Sequence, residues 1–422
     1  MKWHVYPSKL QGSIEIPPSK SETHRAFLFA LLADGTSRIE RFLDSPDTRA
    51  MLNAIQALGA RVKRRGSSLE IIGVGGKLQP SDRVIDAGNS GIVLRFIAAI
   101  AALHPSYTVI TGDDSIRSRR PALPLLSALE QLGCFAKSSR GNGYAPLIIS
   151  GPLRGGECRL EGSDSQPISA LLIASAFATQ PVQIQVENPG EKPWIDLTLS
   201  WFDRHALSYE NQDYTSYRVA GNARISPFEY VVPGDFSSRA FPVVAALITG
   251  SEIDLYNIDW NEKQGDKKFF HLLESMGAHL IKKQDSLLVR RGGKLKGREV
   301  DLNEFIDAIS PLALIGTMAE GETVIFNGAI ARQKECDRIS CTALELRKMG
   351  AHIEEREDGL IIRPSKLHGA QLQAHSDHRL AMSLAAAAFG ADGGSLIEGV
   401  ECSSKSYPQF KEQMKALGGQ IR

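Results

Sequence analysis

Cysteine is scarce in this 422-residue sequence: Cys134, Cys158, Cys336, Cys341 and Cys402 are scattered, with no CxxC pair and no zinc-like grouping with histidine. That excludes a disulfide framework and a structural zinc, and it fits a reducing compartment. Excess charge is lacking as well, with 49 basic against 48 acidic side chains. No general attraction to nucleic acid or to a membrane surface is encoded, and 7% aromatic content offers no stacking series for bases. Long apolar runs are missing; FIAAIAAL is far too short to span a bilayer, and MKWHVYPSKLQG has no signal-peptide core. No GxxxxGK[ST] loop points to a nucleoside triphosphate. The expectation is a cytoplasmic protein without nucleic-acid or membrane partners, whose charge-based function is confined to local clusters.

What is present is a repeat. LNAIQALGARV ends a helical pattern at Gly59 and returns as LSALEQLGCFA at Gly133, FHLLESMGAHL at Gly277, LELRKMGAHI at Gly350 and FKEQMKALGGQI at Gly418. The spacing is roughly seventy residues with one double gap. LSWFDRHALSY fills that gap, with His205 or Ala206 in the glycine's place. Each unit is predicted as a helix closed by a left-handed cap. Alternating strands follow, as in ARVKRRGSSLEIIG, AHLIKKQDSLLVRRGG and AHIEEREDGLIIRP, where Asp358-Gly359 signals the turn. More apolar helices such as LRFIAAIAALH and SALLIASAFATQ complete a β-α-β-α-β-β unit. Six such units exceed one core, so two domains of three repeats are expected: residues 1–18 plus 234–422, and 19–233, with a ligand cleft between them.

Cations crowd several predicted helix starts, where the macrodipole disfavours them unless an anion docks. PPSKSETHRAFLFALLADG offers Ser19 and Glu22 as a capping box, which leaves Lys20, Ser21 and Arg25 unexplained. DAGNSGIVLRF sets glycines around Asn89 and Ser90, then Arg95; a tight turn and an anion cradle are both open readings. Arg117, Arg119 and Arg120 precede Pro121, read as a first-turn residue, though a solvated basic loop competes. RQKECDRISC packs Arg332, Lys334, Glu335, Asp337 and Arg338, which locally reads as a salt-bridged surface. AHSDHRLAM offers Ser376 or Asp377 as cap before His378 and Arg379. Together these five entrances predict a site for one or two small polyanions.

PPSKSETHRA, GNSGIVLR, RRPALPLLSAL, SDSQPISALL, VVPGDFSSRAF, FIDAISPLAL, RQKECDR, SDHRLAM and KSYPQF resemble, in order and spacing, the motifs of the 5-enolpyruvylshikimate-3-phosphate synthase family, from about residue 10 onward. The resemblance implies an α/β fold, a two-domain inside-out α/β barrel of the enolpyruvyl transferase type. It also implies reaction of phosphoenolpyruvate with shikimate 3-phosphate by a monomer that needs no metal or organic cofactor, and it makes the chain a glyphosate target. By resemblance Lys20, Gly91, Arg120, Gln166, Arg338, Arg379 and Lys405 surround phosphoenolpyruvate. Ser21, Arg25, Ser165, Gln166, Asp307 and Lys334 hold the acceptor. Asp307 and Glu335 are the acid–base carboxylates, with Lys20, His378 and Lys405 also catalytic. Locally, Asp307 reads equally as a helix cap and Lys405 as an exposed loop lysine.

Four residues, in three motifs, depart from that pattern. Asp164 and Glu191 replace two serines that grip the acceptor's phosphate in the family, Trp194 replaces a tyrosine, and Ile330 stands where an acceptor-binding asparagine is usual. A like-charge contact at about 4 Å costs roughly 4 kcal/mol at an effective dielectric of 20. Either a one-residue slip brings Ser163 into place and Lys192 neutralises Glu191, or the acceptor is a different alcohol, one that lacks the phosphate or carries an amine or extra hydroxyls that carboxylates would bind. A cell-wall enolpyruvyl transferase would carry a reactive loop cysteine, which none of the five resembles. A non-catalytic anion-binding paralogue would have lost Lys20, Asp307, Glu335 or Lys405, and all four are present. For glyphosate, Gly91 leaves room while Ile92 is larger than the family's threonine, so intermediate sensitivity is expected.

Overall fold

The repeated glycines adopt the left-handed backbone their spacing predicts. In the computed structural model, which describes residues 1–290 and 292–422, φ is 109° at Gly59, 82° at Gly133, 111° at Gly277, 91° at Gly350 and 94° at Gly418. In the sixth repeat Ala206, not His205, takes this role with φ 50°. A Cβ there costs about 1 kcal/mol.

Five of the six caps feed an antiparallel hairpin, while Gly418 leads into Gln420–Ile421, which pairs with the distant Lys2–Tyr6. Arg61–Arg65 pairs with Ser68–Ile72, His279–Lys282 with Ser286–Arg290, and His352–Arg356 with Gly359–Arg363. The last turn is Glu357-Asp358, one residue earlier than the sequence suggests. Gly359 already belongs to the strand, where an added Cβ would fall 1.8 Å from the Ile325 carbonyl oxygen. Its glycine serves a close backbone approach.

The hairpins extend into six four-stranded sheets of one plan. In one of them Ile85–Asp86 runs parallel to Thr108–Thr111, which is antiparallel to Leu147–Ser150, itself antiparallel to Phe135–Ser138. Three sheets borrow a strand from a distant part of the chain. Lys2–Tyr6 pairs with Ser395–Glu398 and Gln420–Ile421, Gln11–Glu15 with Glu252–Tyr256, and Glu229–Val231 with Thr36–Glu40. The chain accordingly divides into two compact units, Met1–Pro18 with Pro233–Arg422, and Ser19–Val232. Each has its own apolar core.

At the centre of each core lie helices buried on nearly every side, as all-round apolar sequences require. They are Lys20–Leu32, Gly91–Ala101 and Ser165–Ala176 in the Ser19–Val232 unit, and Phe236–Thr249, Ile309–Met318 and His378–Gly390 in the other. The charged residues singled out above stand at or just before the starts of these helices and of the outer helices that follow them.

Candidate active site

In the Ser19–Val232 unit, three residues from separate motifs converge beside the first residue of the Gly91 helix. A Cβ built on Gly91 would lie 2.7 Å from Arg120 Nη1, 2.8 Å from Arg95 Nη1 and 3.3 Å from Gln166 Oε1. The glycine at this position is thus set by two guanidinium groups, while Gly88, with φ 57°, makes the turn before it. Ser90 caps the helix. Arg95 is buried and fully engaged: Nη1 donates to Gln166 Oε1 at 2.7 Å, Nε and Nη2 donate to the Pro121 carbonyl, and Nη2 lies 3.1 Å from Asp164 Oδ2. Burial pulls its pKa down and Asp164 opposes that shift. Arg120 is buried, whereas Arg117 and Arg119 are not. Pro121 is not a first-turn residue; the helix there is Leu123–Gln131 with Ala122 as its cap.

Ser19 caps the Lys20 helix as predicted, and the Glu22 carboxylate accepts the Trp201 indole N–H at 2.6 Å. Lys20 Nζ is 3.5 Å from Asp47 Oδ2. Arg25 donates to Thr198 Oγ1, to the Trp194 carbonyl at 3.0 Å and to the Ser21 carbonyl at 3.2 Å, and its guanidinium lies over the Phe96 ring. These contacts fix the guanidinium at the start of the helix. Thr198 and Asp47 carried no signal in the sequence, because their partners lie in other repeats or other segments.

The departures resolve into local structure. Asp164 is the N-cap of the Ser165 helix, with Oδ1 accepting the Gln166 N–H at 3.0 Å. Ser163 does not take that place, since its own N–H is bonded to Glu161. Glu191 Oε2 accepts both the N–H and the hydroxyl of Ser165, at 3.1 and 3.2 Å. The Lys192 ammonium lies over the Tyr214 ring. Ile330 is buried in the apolar core of its own unit.

That second unit centres on Arg338, which is 1% exposed. Nε donates to Asp377 Oδ2, Nη1 to Asp307 Oδ1 and Nη2 to Glu335 Oε2, each at 2.6 Å. Arg379 Nη2 reaches Asp307 Oδ2 at 2.7 Å, Lys405 Nζ reaches Glu335 Oε1 at 2.7 Å, and His378 Nδ1 is 3.9 Å from the same oxygen. Lys334 and Glu335 are also buried. The salt-bridged surface expected for this motif is only its outer part, where Arg332 meets Asp337 and Glu355. Asp307 is no cap, because Ala308 precedes the Ile309 helix without a side-chain bond. Lys405 is buried rather than looped into solvent. Asp377, not Ser376, caps the His378 helix.

Burial alone would raise the Asp307 pKa, but Arg379, Arg338 and Lys334 outweigh it and hold the carboxyl well below the usual range. Burial likewise works against the Arg338 charge, and Asp377, Glu335 and Asp307 more than compensate. Asp266 was missed by the sequence reading. It is buried, accepts the Ser237 hydroxyl, and is pushed up to about 7 by burial and then by Asp307. The Cys336 thiol is pushed far up by its bond to Cys341 and by burial, which leaves it unreactive. Among the described residues no group of three or more His, Cys, Asp or Glu could hold a metal ion, and no helix is long and apolar enough to cross a membrane. Each unit therefore presents a buried, charge-compensated cluster of guanidinium, ammonium and carboxylate groups at helix starts. Such clusters bind small anions and relay protons.

The family model for EPSP synthase (3-phosphoshikimate 1-carboxyvinyltransferase) matches residues 5–414. The 3-phosphoshikimate 1-carboxyvinyltransferase of Chlamydia caviae is 40% identical over 100% of this chain and 95% of its own length. That of Acetivibrio thermocellus is 41% identical over 99% of this chain and 98% of its own. Among solved structures, an EPSP synthase from Acinetobacter baumannii superposes with a TM-score of 0.83 at 26% identity, covering 100% of this chain and 99% of that one. The enolpyruvyl transferase NikO from Streptomyces tendae shares the fold, with a TM-score of 0.79 at 18% identity and coverage of 100% and 98%.

Proposed function

The chain belongs to the EPSP synthase (3-phosphoshikimate 1-carboxyvinyltransferase) family, and on that premise we propose how its residues divide the work. The reaction is transfer of the enolpyruvyl group of phosphoenolpyruvate to the 5-hydroxyl of shikimate 3-phosphate, with release of inorganic phosphate. It is a step of aromatic amino acid biosynthesis. A proton adds to the enolpyruvyl methylene while the acceptor hydroxyl loses one and bonds to the neighbouring carbon. The resulting tetrahedral intermediate then loses a methyl proton and phosphate.

The observation that carries the assignment of roles is the Arg338 knot. Three carboxylates held by one buried guanidinium, with Arg379 and Lys405 on the outer oxygens, join acid–base groups to fixed positive charge. In this reading Asp307, kept ionised by its cations, accepts from the acceptor hydroxyl. Glu335, with Lys405 and His378, moves the proton at the methylene. Lys20, Gly91, Arg120 and Gln166 serve the phosphoenolpyruvate phosphate and carboxylate together with Arg338 and Arg379, while Ser21, Arg25, Ser165 and Lys334 serve the acceptor. The two clusters serve one reaction, in a monomer working in the cytoplasm on small molecules without nucleic-acid or membrane partners. The test is phosphate release from phosphoenolpyruvate in the purified chain. Release that requires shikimate 3-phosphate and falls at least about 100-fold in Glu335→Gln supports the reading; release indifferent to both sinks it.

A further inference from the structure

An α-helix opens with N–H groups that no earlier carbonyl can satisfy, which makes its start a seat for anions. At the Ser165 helix that seat is filled from within the chain. One oxygen of Glu191 takes both donors of Ser165, its N–H and its hydroxyl. Asp164 takes the Gln166 N–H. Asp164 lies 3.1 Å from the buried Arg95, whose charge Glu191 also helps to hold. Glu191 is 2% exposed, and its backbone is held at φ 47°, a left-handed conformation that disfavours a residue with a Cβ. A glutamate bent inward against that preference and bonded to both Ser165 donors is a built contact rather than an accident of the surface.

We infer that Glu191 is a specificity-determining residue, an internal anion that competes with the acceptor's anionic group for Ser165 and the start of its helix. The inference rests on the proposed placement of the acceptor at Ser21, Arg25, Ser165 and Gln166. A phosphate that enters this seat must turn the Glu191 carboxylate out of it, because two anions cannot share the same pair of donors. Affinity for a phosphorylated acceptor is therefore set by how readily Glu191 leaves, and an acceptor without that phosphate does not meet the competition.

The test compares the unaltered chain with Glu191→Ser and Glu191→Gln. Phosphate release is followed with shikimate 3-phosphate and, separately, with unphosphorylated shikimate. Serine supplies a donor and removes the anion, so KM for shikimate 3-phosphate falls at least tenfold and the preference for it over shikimate rises by a similar factor. Glutamine keeps the shape without the charge and gives a smaller fall in the same direction. An unchanged or higher KM for shikimate 3-phosphate in both variants overturns the inference. If the unaltered chain releases no phosphate with either acceptor, the proposed function has failed instead. Calorimetric titration of shikimate 3-phosphate into the three proteins then still reads the competition, with tighter binding by the variants expected and equal binding overturning it.

Discussion

Replacing Arg338 by methionine keeps a long buried stem and removes three charge-assisted hydrogen bonds of 2.6 Å, leaving Asp307, Glu335 and Asp377 facing one another without their common cation. Removing one partner of a buried ion pair costs about 3–5 kcal/mol. Arg379 and Lys405 still compensate the outer oxygens of Asp307 and Glu335, so the lower end, about 3 kcal/mol, is the better figure. In a unit of this size that lowers the midpoint of thermal unfolding by about 6–12 °C. The pH dependence gives a second reading. The pKa of Asp307 is depressed in the folded state, so its contribution to stability is complete above the unfolded pKa of about 3.9 and disappears as pH falls towards the lower folded value. In Arg338→Met the folded pKa rises, and acid unfolding begins at a higher pH. Calorimetric scans from pH 3 to 8, with phosphate-release kinetics at pH 7.5, test both points. kcat/KM should fall at least about 100-fold, or about 2.7 kcal/mol. Arg338→Lys should recover part of the stability but little of the rate, because an ammonium cannot reach three carboxylates at once. A methionine variant with unchanged melting, acid midpoint and turnover would show that the knot does not do this work.

Gly91→Ala pushes a methyl group against the tips of Arg95 and Arg120, and Arg95 cannot yield without loosening its bonds to Gln166, Pro121 and Asp164. KM for phosphoenolpyruvate should rise about tenfold, the loss of roughly one charge-assisted hydrogen bond, with glyphosate inhibition weakened more; inhibition curves at several phosphoenolpyruvate concentrations separate the two. Asp266 has a folded pKa raised to about 7, so its protonated form favours the fold at low pH and stability is lost as pH rises through 7. Asp266→Asn should match the unaltered protein near pH 4 and exceed it by about 4 kcal/mol at pH 8 in urea unfolding. Ala206→Gly places the residue of the other five repeats at φ 50° and should raise unfolding stability by about 0.5–1 kcal/mol, read from the urea midpoint.

Features fixed by neighbouring residues were legible in the sequence. A left-handed cap needs only the local backbone, so five glycines announced five helix ends, and at the sixth His205 and Ala206 were indistinguishable because neither is a glycine. Long-range burial was not legible. Lys334, Glu335, Arg338 and Lys405 look like surface residues in their own segments, and their burial depends on contacts distant in sequence: Asp307, 31 residues before Arg338, and Asp377, 39 residues after it, fold against its guanidinium. The family motifs pointed to these residues where local patterns favoured a salt-bridged surface or a loop. The same limit applied to Asp164 and Glu191, whose negative charge was visible and whose partners, Arg95 and Ser165, were not. Asp266 follows Gly265 in a polar loop and carries no local mark of its burial.

The strand Lys2–Tyr6 is synthesised before the Ser19–Val232 unit, and its partners, Ser395–Glu398 and Gln420–Ile421, only after it. The whole Ser19–Val232 unit is synthesised in the interval and has every strand of its three sheets before translation is finished. Assembly during synthesis is thus ordered by connectivity: one half can mature early, while the other waits with an unpaired strand exposed to aggregation or to chaperones. The Arg338 knot, with Asp307, Glu335 and Lys405 bound into it, forms only in the half that closes last.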